Sequence, residues 1–395
     1  MAPQTIEQLY QSAYHADLLG DFPRAKMLYG RVLAAQPDHP FAQLAVSELQ
    51  MMESNFKSGR EGYEARFLKK REGDNSADWR HIPVPRWRGE NLSGKRLYLW
   101  TEQGVGDVLM FGGFLPYLLS QNPAHITLGA PDKMISLLAR SFPAISVESI
   151  EHITDHFMAP LLKTRDLHKE LETVPAESRQ TLITAYERAL LYQPYDYAAP
   201  IGDMMVFGMP GYVPKHHLIS HVCADPELKR QMSALLPPPE QKRRIGISWH
   251  SGNPYEGSVR SIPLEQWGPI LKVADCHFIS LQHGISHEEI RAMCDQYGVN
   301  IETLPFEPVQ DIERLAAIIA CLDQVITIDN SNAHLAGALG VPTTLLLPKG
   351  HDFRWPLQED GGTLWYKSVH TLRQNEALNW KPVVMRAAKS LQKIV

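Results

Sequence analysis

Residues 324–347 read QVITIDNSNAHLAGALGVPTTLLL, and their pattern decides the fold. Val325 to Ile328 is a β-branched apolar run closed by Asp329, as expected of a buried parallel strand. Asn330 and Ser331 can cap a following helix, Gly340 can end it, and Pro342 keeps it from resuming. Thr343 to Leu347 then supplies a second buried strand. A strand, polar loop, helix and strand in succession aim unpaired helix N–H groups past the strand end, where anions bind. Asp329, Asn330, Ser331 and His334 surround that point, which makes the unit a candidate nucleoside-diphosphate site.

Working outward, 395 residues are enough for two to three domains. A hydrophobic fraction of 44% and a charged fraction of 21% are ordinary for a globular chain. The net charge of −5 and pI near 6.4 argue against a nucleic-acid-binding surface. No apolar run approaches the ~20 residues that span a bilayer, and MAPQTIEQLYQSAYHADLLG (1–20) lacks the basic start and apolar centre of a signal peptide. Cys223, Cys276, Cys294 and Cys321 are scattered without CxxC spacing, so the expected setting is a reducing cytoplasm with no structural zinc.

Two segments 34 residues apart correspond near the start. Gly20-Asp21-Phe22 aligns with Ser54-Asn55-Phe56, Ala25 with Gly59, Tyr29 with Tyr63, and Val32 with Arg66. Small residues let paired helices approach, and an aromatic fills the gap between them. This period and these residue types, with Pro37 as the closing residue, resemble the tetratricopeptide repeat over residues 5–70. Two repeats are too few to bury a continuous core, so the helices are expected to pack on the next domain. Trp79 and Trp87 in the linker are the expected packing residues, with the free concave side near the acceptor half.

Beyond the Asp74–Glu90 linker the pattern becomes α/β. Arg96–Trp100, His125–Gly129, Arg244–Trp249 and His277–Leu281 read as strands; residues 133–141, 182–191 and 312–321 read as helices, as does the spacing of Val384, Ala388 and Leu391. Pro194–Pro214 is rich in Pro and Gly, and Pro237-Pro238-Pro239 marks a boundary. Two doubly wound units meeting near Pro237 imply a ligand-binding cleft.

RWRGENLSGKRLYLWTEQGVGD (86–107), RIGISWHSGNP with RSIPL (244–264), SLQHG (280–284), LDQVITIDNSNAHLAGALGVP (322–342), LLLPKGHDFRW (345–355), LWY (364–366) and GYEARF (62–67) cover most of the chain. In this order they resemble the bacterial tetratricopeptide-linked glycosyltransferases related to the ADP-heptose:lipopolysaccharide heptosyltransferases of glycosyltransferase family 9. The resemblance implies a GT-B fold. Residues 1–72 would be a helical domain, 73–240 a Rossmann-like acceptor domain and 241–395 a Rossmann-like nucleotide-sugar domain. It further implies an inverting transfer to a protein or glycan acceptor, the nucleotide sugar serving as substrate with no cofactor and no metal; no DxD pair occurs in the sequence. A nucleotide-sugar epimerase on the same fold and a catalytically silent repeat scaffold are the alternatives. Two departures stand out: residues 151–192 form a longer passage than the family's, and the family's Asp-Thr is Asp329-Asn330 here.

Asp329 can accept from a sugar hydroxyl or anchor its own loop, and Asn330 and Ser331 cap a helix on either reading. His334, one turn into the helix, is expected to ligate diphosphate rather than sit satisfied in the core. His250, Ser251, Gly252 and Asn253 follow a strand where a ligand-facing loop belongs. Arg260 can neutralise a leaving diphosphate; Gln282 faces the nucleotide by resemblance, and Lys349 and Arg354 are lesser candidates. Gly104-Val105-Gly106-Asp107 opens a helix without completing a dinucleotide fingerprint. By resemblance Asp107 is the base that deprotonates the acceptor; by position it is equally a first-turn cap. Glu151, His152, Asp155 and His156 have metal-like spacing but no third ligand, and His216, His217 and His221 read as loop surface.

Overall fold

The computed structural model describes residues 5–68, 84–150, 195–208, 220–238, 242–356, 358 and 361–392, with isolated positions between 172 and 183. Trp79, His216, His217, the 151–156 acidic and histidine group, and nearly all of the 182–191 helix lie outside the described residues. The chain forms two compact units. One contains Met1–Asp74, Gly104–Gly113 and Val213–Val395; the other contains Asn75–Gln103 and Phe114–Tyr212. This division differs from the sequence boundaries by placing the Asp107 segment and residues 213–240 with the C-terminal part.

The larger unit starts with four helices, α1 (Ile6–Leu18), α2 (Phe22–Ala35), α3 (Pro40–Met52) and α4 (Phe56–Gly62), followed by a 3-10 turn at Tyr63–Phe67. Thr5 and Gln8 form a capping box at α1, while Asp21 and Asn55 cap α2 and α4. The caps of α2 and α4 are 34 residues apart. These aligned caps follow residues in left-handed backbone, Gly20 at φ 71° and Ser54 at φ 63°. Ala25 and Gly59 are both buried where helices meet, and Tyr29 and Tyr63 both fill the interior. Neighbouring helices pack in sequence, α1 on α2, α2 on α3 and α3 on α4.

The smaller unit holds a parallel sheet, β3-β2-β1-β4, from β1 (Arg96–Trp100), β2 (His125–Ala130), β3 (Ser146–Ser149) and β4 (Tyr197–Pro200). β4 lies in the Pro- and Gly-rich stretch, where the sequence offered no alternation. Arg86 clamps Asp203 with two bonds of 2.6 and 2.5 Å, fixing the entry strand against the β4 end. Trp87 is buried here, donating to the Glu90 carbonyl and meeting Phe207 edge-on. Its contacts here lie within the smaller unit.

The larger unit resumes with α5 (Val105–Gly112) and continues into a six-stranded parallel sheet. Its strands are β5 (Arg243–Ser248), β6 (Cys276–Ser280), β7 (Ile301–Glu302), β8 (Gln324–Ile328), β9 (Thr343–Leu347) and β10 (Val369–Arg373). The spatial order β7-β6-β5-β8-β9-β10 reverses direction between β5 and β8. Such reversals leave a crevice beyond the strand ends, where ligands of α/β proteins bind. The apolar strands β5, β8 and β9 are covered by the helix Lys381–Gln392, which buries Val383, Val384, Ala387, Ala388 and Leu391 beside Trp267 and Trp380.

The four-helix front docks on this same unit, at Lys349–Phe353. Gly20 lies so close to Lys349 and Gly350 that a Cβ would meet their backbone at 2.7 and 2.8 Å. Gly350 in turn packs under the Asp17 and Leu18 carbonyls, Phe22 meets His351 edge-on, and Tyr63 meets Phe353. The helical front thus docks on the loop after β9. Small residues on both sides allow this approach.

Candidate functional site

At the β5–β8 reversal the polar residues tie the two strand ends together. Asn330 caps the Ser331–Leu339 helix by accepting from Asn332 N–H at 3.0 Å, and its Nδ2 donates to Ser248 Oγ on β5 at 2.7 Å. Ser331 is half-buried in the first turn of that helix. Gln282, after β6, organises the β5 loop. Its Oε1 accepts from the N–H groups of Trp249 and His250 at 3.0 and 2.8 Å, and its Nε2 donates to the carbonyls of His250 and His283. A buried amide with these bonds shapes the loop before it can face a ligand.

The β5 loop itself is open. His250, Gly252 and Asn253 are exposed, and Ser251 is half-buried with its N–H on Ser261 Oγ. Asn253 Oδ1 accepts from Tyr255 and Glu256 N–H, turning the chain into the short helix Gly257–Arg260. That helix delivers Arg260 back to the crevice. Arg260 pairs with Glu256, lies 3.2 Å from Asp329 Oδ2 and 3.8 Å from Asp352.

Asp329 is buried at the end of β8, with Oδ1 accepting from Trp355 Nε1 at 2.7 Å. Its Oδ2 has no aligned hydrogen bond, only the ion pair with Arg260. Asp352 holds the second arginine: Arg354 Nη1 donates to its two oxygens at 2.9 and 2.8 Å. Arg354 Nε reaches Asp107 Oδ1 at 2.6 Å. Burial works against the Arg354 charge, but Asp107 and Asp352 hold its pKa well above the usual value. Burial would likewise raise the Asp352 carboxyl, yet Arg354 and Arg260 keep it below the usual range.

Asp107 therefore has both oxygens engaged, one by Arg354 and the other by Gly104 N–H at 3.2 Å, closing the first turn of α5. α5 packs on the Ser331–Leu339 helix, and Gly106 makes that possible: a Cβ there would meet His334 Cδ2 at 2.8 Å. His334 is buried between Gly106 and Trp355, its ring stacked 4.6 Å from the indole and its Nδ1 3.0 Å from Tyr366 Oη. Burial pushes this imidazole down to about 4 despite the pull of Asp107, so it is neutral at physiological pH. A neutral, enclosed ring offers no charge to a diphosphate. The ring packs on Trp355, whose indole N–H holds the Asp329 carboxylate.

The structure thus gathers Asp107, Arg260, Asp329, Asn330, Ser331, His334 and Arg354 in one unit, with the His250–Asn253 loop beside Gln282. Lys349 serves the docking face, its backbone under Gly20 and its N–H on Gln374. Sequence reasoning missed Glu256, Asp352, Trp355 and Tyr366. The quoted HDFRW and LWY stretches contained three of them, but only contacts distant in sequence reveal what they hold. Among the described residues no three His, Cys, Asp or Glu side chains gather as a metal site. No described helix is long and apolar enough to cross a membrane.

No protein-family model matches the chain. Protein FlbA of Caulobacter vibrioides is 28% identical over 365 residues, spanning 90% of this chain; the chain spans 55% of that relative's length. Among solved structures, a family 9 glycosyl transferase from Veillonella parvula aligns with 78% of this chain and all of its own, at 14% identity and a TM-score of 0.49. The E. coli ADP-heptose lipopolysaccharide heptosyltransferase II aligns with 76% of this chain and all of its own, at 14% identity and a TM-score of 0.47.

Proposed function

We propose that this chain is an inverting glycosyltransferase of GT-B architecture that takes a sugar from a nucleotide-sugar donor and passes it to a protein or glycan acceptor. The observation that carries the reading is the crevice at the β5–β8 reversal. There an Asn-capped helix start, an open glycine-bearing loop and two half-buried arginines converge. Backbone N–H groups at a helix start and guanidinium forks are the donors a diphosphate needs.

In the reaction the acceptor hydroxyl loses its proton to a base, and its oxygen forms the new bond to the anomeric carbon. The bond from that carbon to the diphosphate breaks, and the diphosphate leaves with the electron pair. Arg260 and Arg354 are the residues assigned to that developing charge, which would make a metal unnecessary. Both are now neutralised by carboxylates, so an incoming diphosphate competes with Asp329, Asp352 and Asp107 for them. Drawing Arg354 away would leave Asp107 with a free carboxylate oxygen, and Asp107 is assigned as the base. His334, Gln282 and Asn330 act as positioning residues in this scheme, and the loop His250, Ser251, Gly252 and Asn253 closes over the nucleotide. The helical front, read as tetratricopeptide-like, selects the acceptor.

A thermal-shift panel of nucleotide sugars, ADP-heptose included, tests the reading, because a ligand stabilises only the state it binds. One nucleotide class is expected to raise the melting temperature in a concentration-dependent way. A panel in which no nucleotide diphosphate or nucleotide sugar shifts it would refute the proposal.

A further inference from the structure

Where the helical front meets the loop after β9 there is a cavity of about 60 Å³ whose walls come from both. Asp17 of α1 and Glu48 of α3 line one side; Glu256, Arg260, His351 and Asp352 line the other. Four carboxylates thus surround one guanidinium, and Arg260 is already shared among Glu256, Asp352 and Asp329. The excess is negative. Burial, with Asp352 adding to it, pushes the Asp17 carboxyl up to about 7 even though Tyr29 Oη donates to it.

An independent observation points to a ligand that donates hydrogen bonds. His351 is buried, and its Nδ1 is 3.0 Å from the Lys349 carbonyl, so the proton is on Nδ1. Its Nε2 is then a bare acceptor, and it is buried with no partner. Burial holds this ring neutral, near a pKa of 4. A buried acceptor without a donor costs free energy that a bound donor returns.

We infer that this cavity binds a guanidinium group, presented either by a small free ligand or by an arginyl side chain of a polypeptide. A guanidinium has four heavy atoms, and at ~10–15 Å³ for each water-sized occupant the cavity accommodates about that many. Its five N–H donors suit a lining rich in carboxyl oxygens, and its weaker hydration makes it cheaper to enclose than an ammonium. The site does not depend on the chain being a transferase, since the cation is measured without nucleotide present.

The test is calorimetric titration of the full chain with agmatine, with the peptide Gly-Gly-Arg-Gly-Gly, and with the same peptide carrying citrulline. The guanidinium compounds should bind, and the neutral citrulline peptide should bind about tenfold more weakly or worse, as charge-assisted bonds require. Binding of the peptide alone would identify an arginyl side chain; binding of both would identify the free group. Glu48→Gln and Asp17→Asn should each weaken binding about fivefold or more while circular dichroism stays unchanged. Should Asp17→Asn fail to fold, Glu48→Gln carries the test by itself. Equal binding of the citrulline peptide, no binding of any guanidinium compound, or full affinity in the Glu48→Gln protein would overturn the inference.

Discussion

Asp107 carries the most distinctive residue-scale claim, because a cap and a base predict different outcomes for one substitution. Asp107→Asn keeps an oxygen for Gly104 N–H but removes the charge that faces Arg354. With Asp107 as the base, turnover should fall by roughly 10²–10⁴ while nucleotide affinity holds or rises, since Arg354 is released. Normal steady-state turnover in a folded Asn variant would make Asp107 a cap alone. His334 makes a contrasting prediction. Its ring fills the space between Gly106, Trp355 and Tyr366, so His334→Ala should cost about 2–4 kcal/mol of stability by opening a buried void. Urea unfolding measures this; a loss of nucleotide affinity with stability intact would instead restore His334 as a direct ligand.

Among the elements, the loop Lys349–Trp355 joins the helical front to the arginine pair. Gly20 sits at φ 71° against that loop, so Gly20→Val combines backbone strain with a clash against Lys349 and Gly350. The substitution should lower the melting temperature by several degrees, as ~1–3 kcal/mol of overpacking implies for a chain of this size. It should also weaken nucleotide binding, because Asp352 and Arg354 lie on the displaced loop. Unchanged nucleotide affinity in a destabilised Gly20→Val protein would separate the helical front from the site. Docking of this kind was not legible in the sequence. The strand–cap–helix–strand unit was, because Val325–Ile328, Asn330, Gly340 and Pro342 each act through neighbours a few residues away. β4 and β10 were missed, since Tyr197–Pro200 and Val369–Arg373 lack a period of their own and become strands by pairing with β1 and β9. The arginine–carboxylate network was hidden for the same reason: Asp107 and Arg354 are 247 residues apart, and Arg260 meets Asp329 only through the fold.

Across the described residues, enclosed histidines shape the response to acid. His221, His334 and His351 are all pushed to about 4 from an ordinary 6.5, chiefly by burial. Their folded values are depressed, so the unfolded chain binds more protons between those limits. Their contribution is complete above pH 6.5 and is lost as pH falls towards 4, on the order of 3 kcal/mol for each. Asp17 works in the opposite sense. Its folded value, about 7, exceeds 3.8, so it penalises the fold at alkaline pH and relieves that penalty on acidification. Among the described residues these three outweigh Asp17 and predict a net loss of stability between pH 6.5 and 4 in chemical-denaturation series, and a flat or rising profile there would contradict their neutral, enclosed state. A nucleoside diphosphate is expected to occupy the crevice where the six-stranded sheet reverses. Hydrogen–deuterium exchange of the full chain, with and without a saturating nucleoside diphosphate, tests it most directly. Protection should concentrate in residues 249–261 and 329–334, the loop and helix start that flank Arg260 and Asn330. Protection elsewhere, with these two segments unchanged, would place the nucleotide outside the crevice and contradict the account.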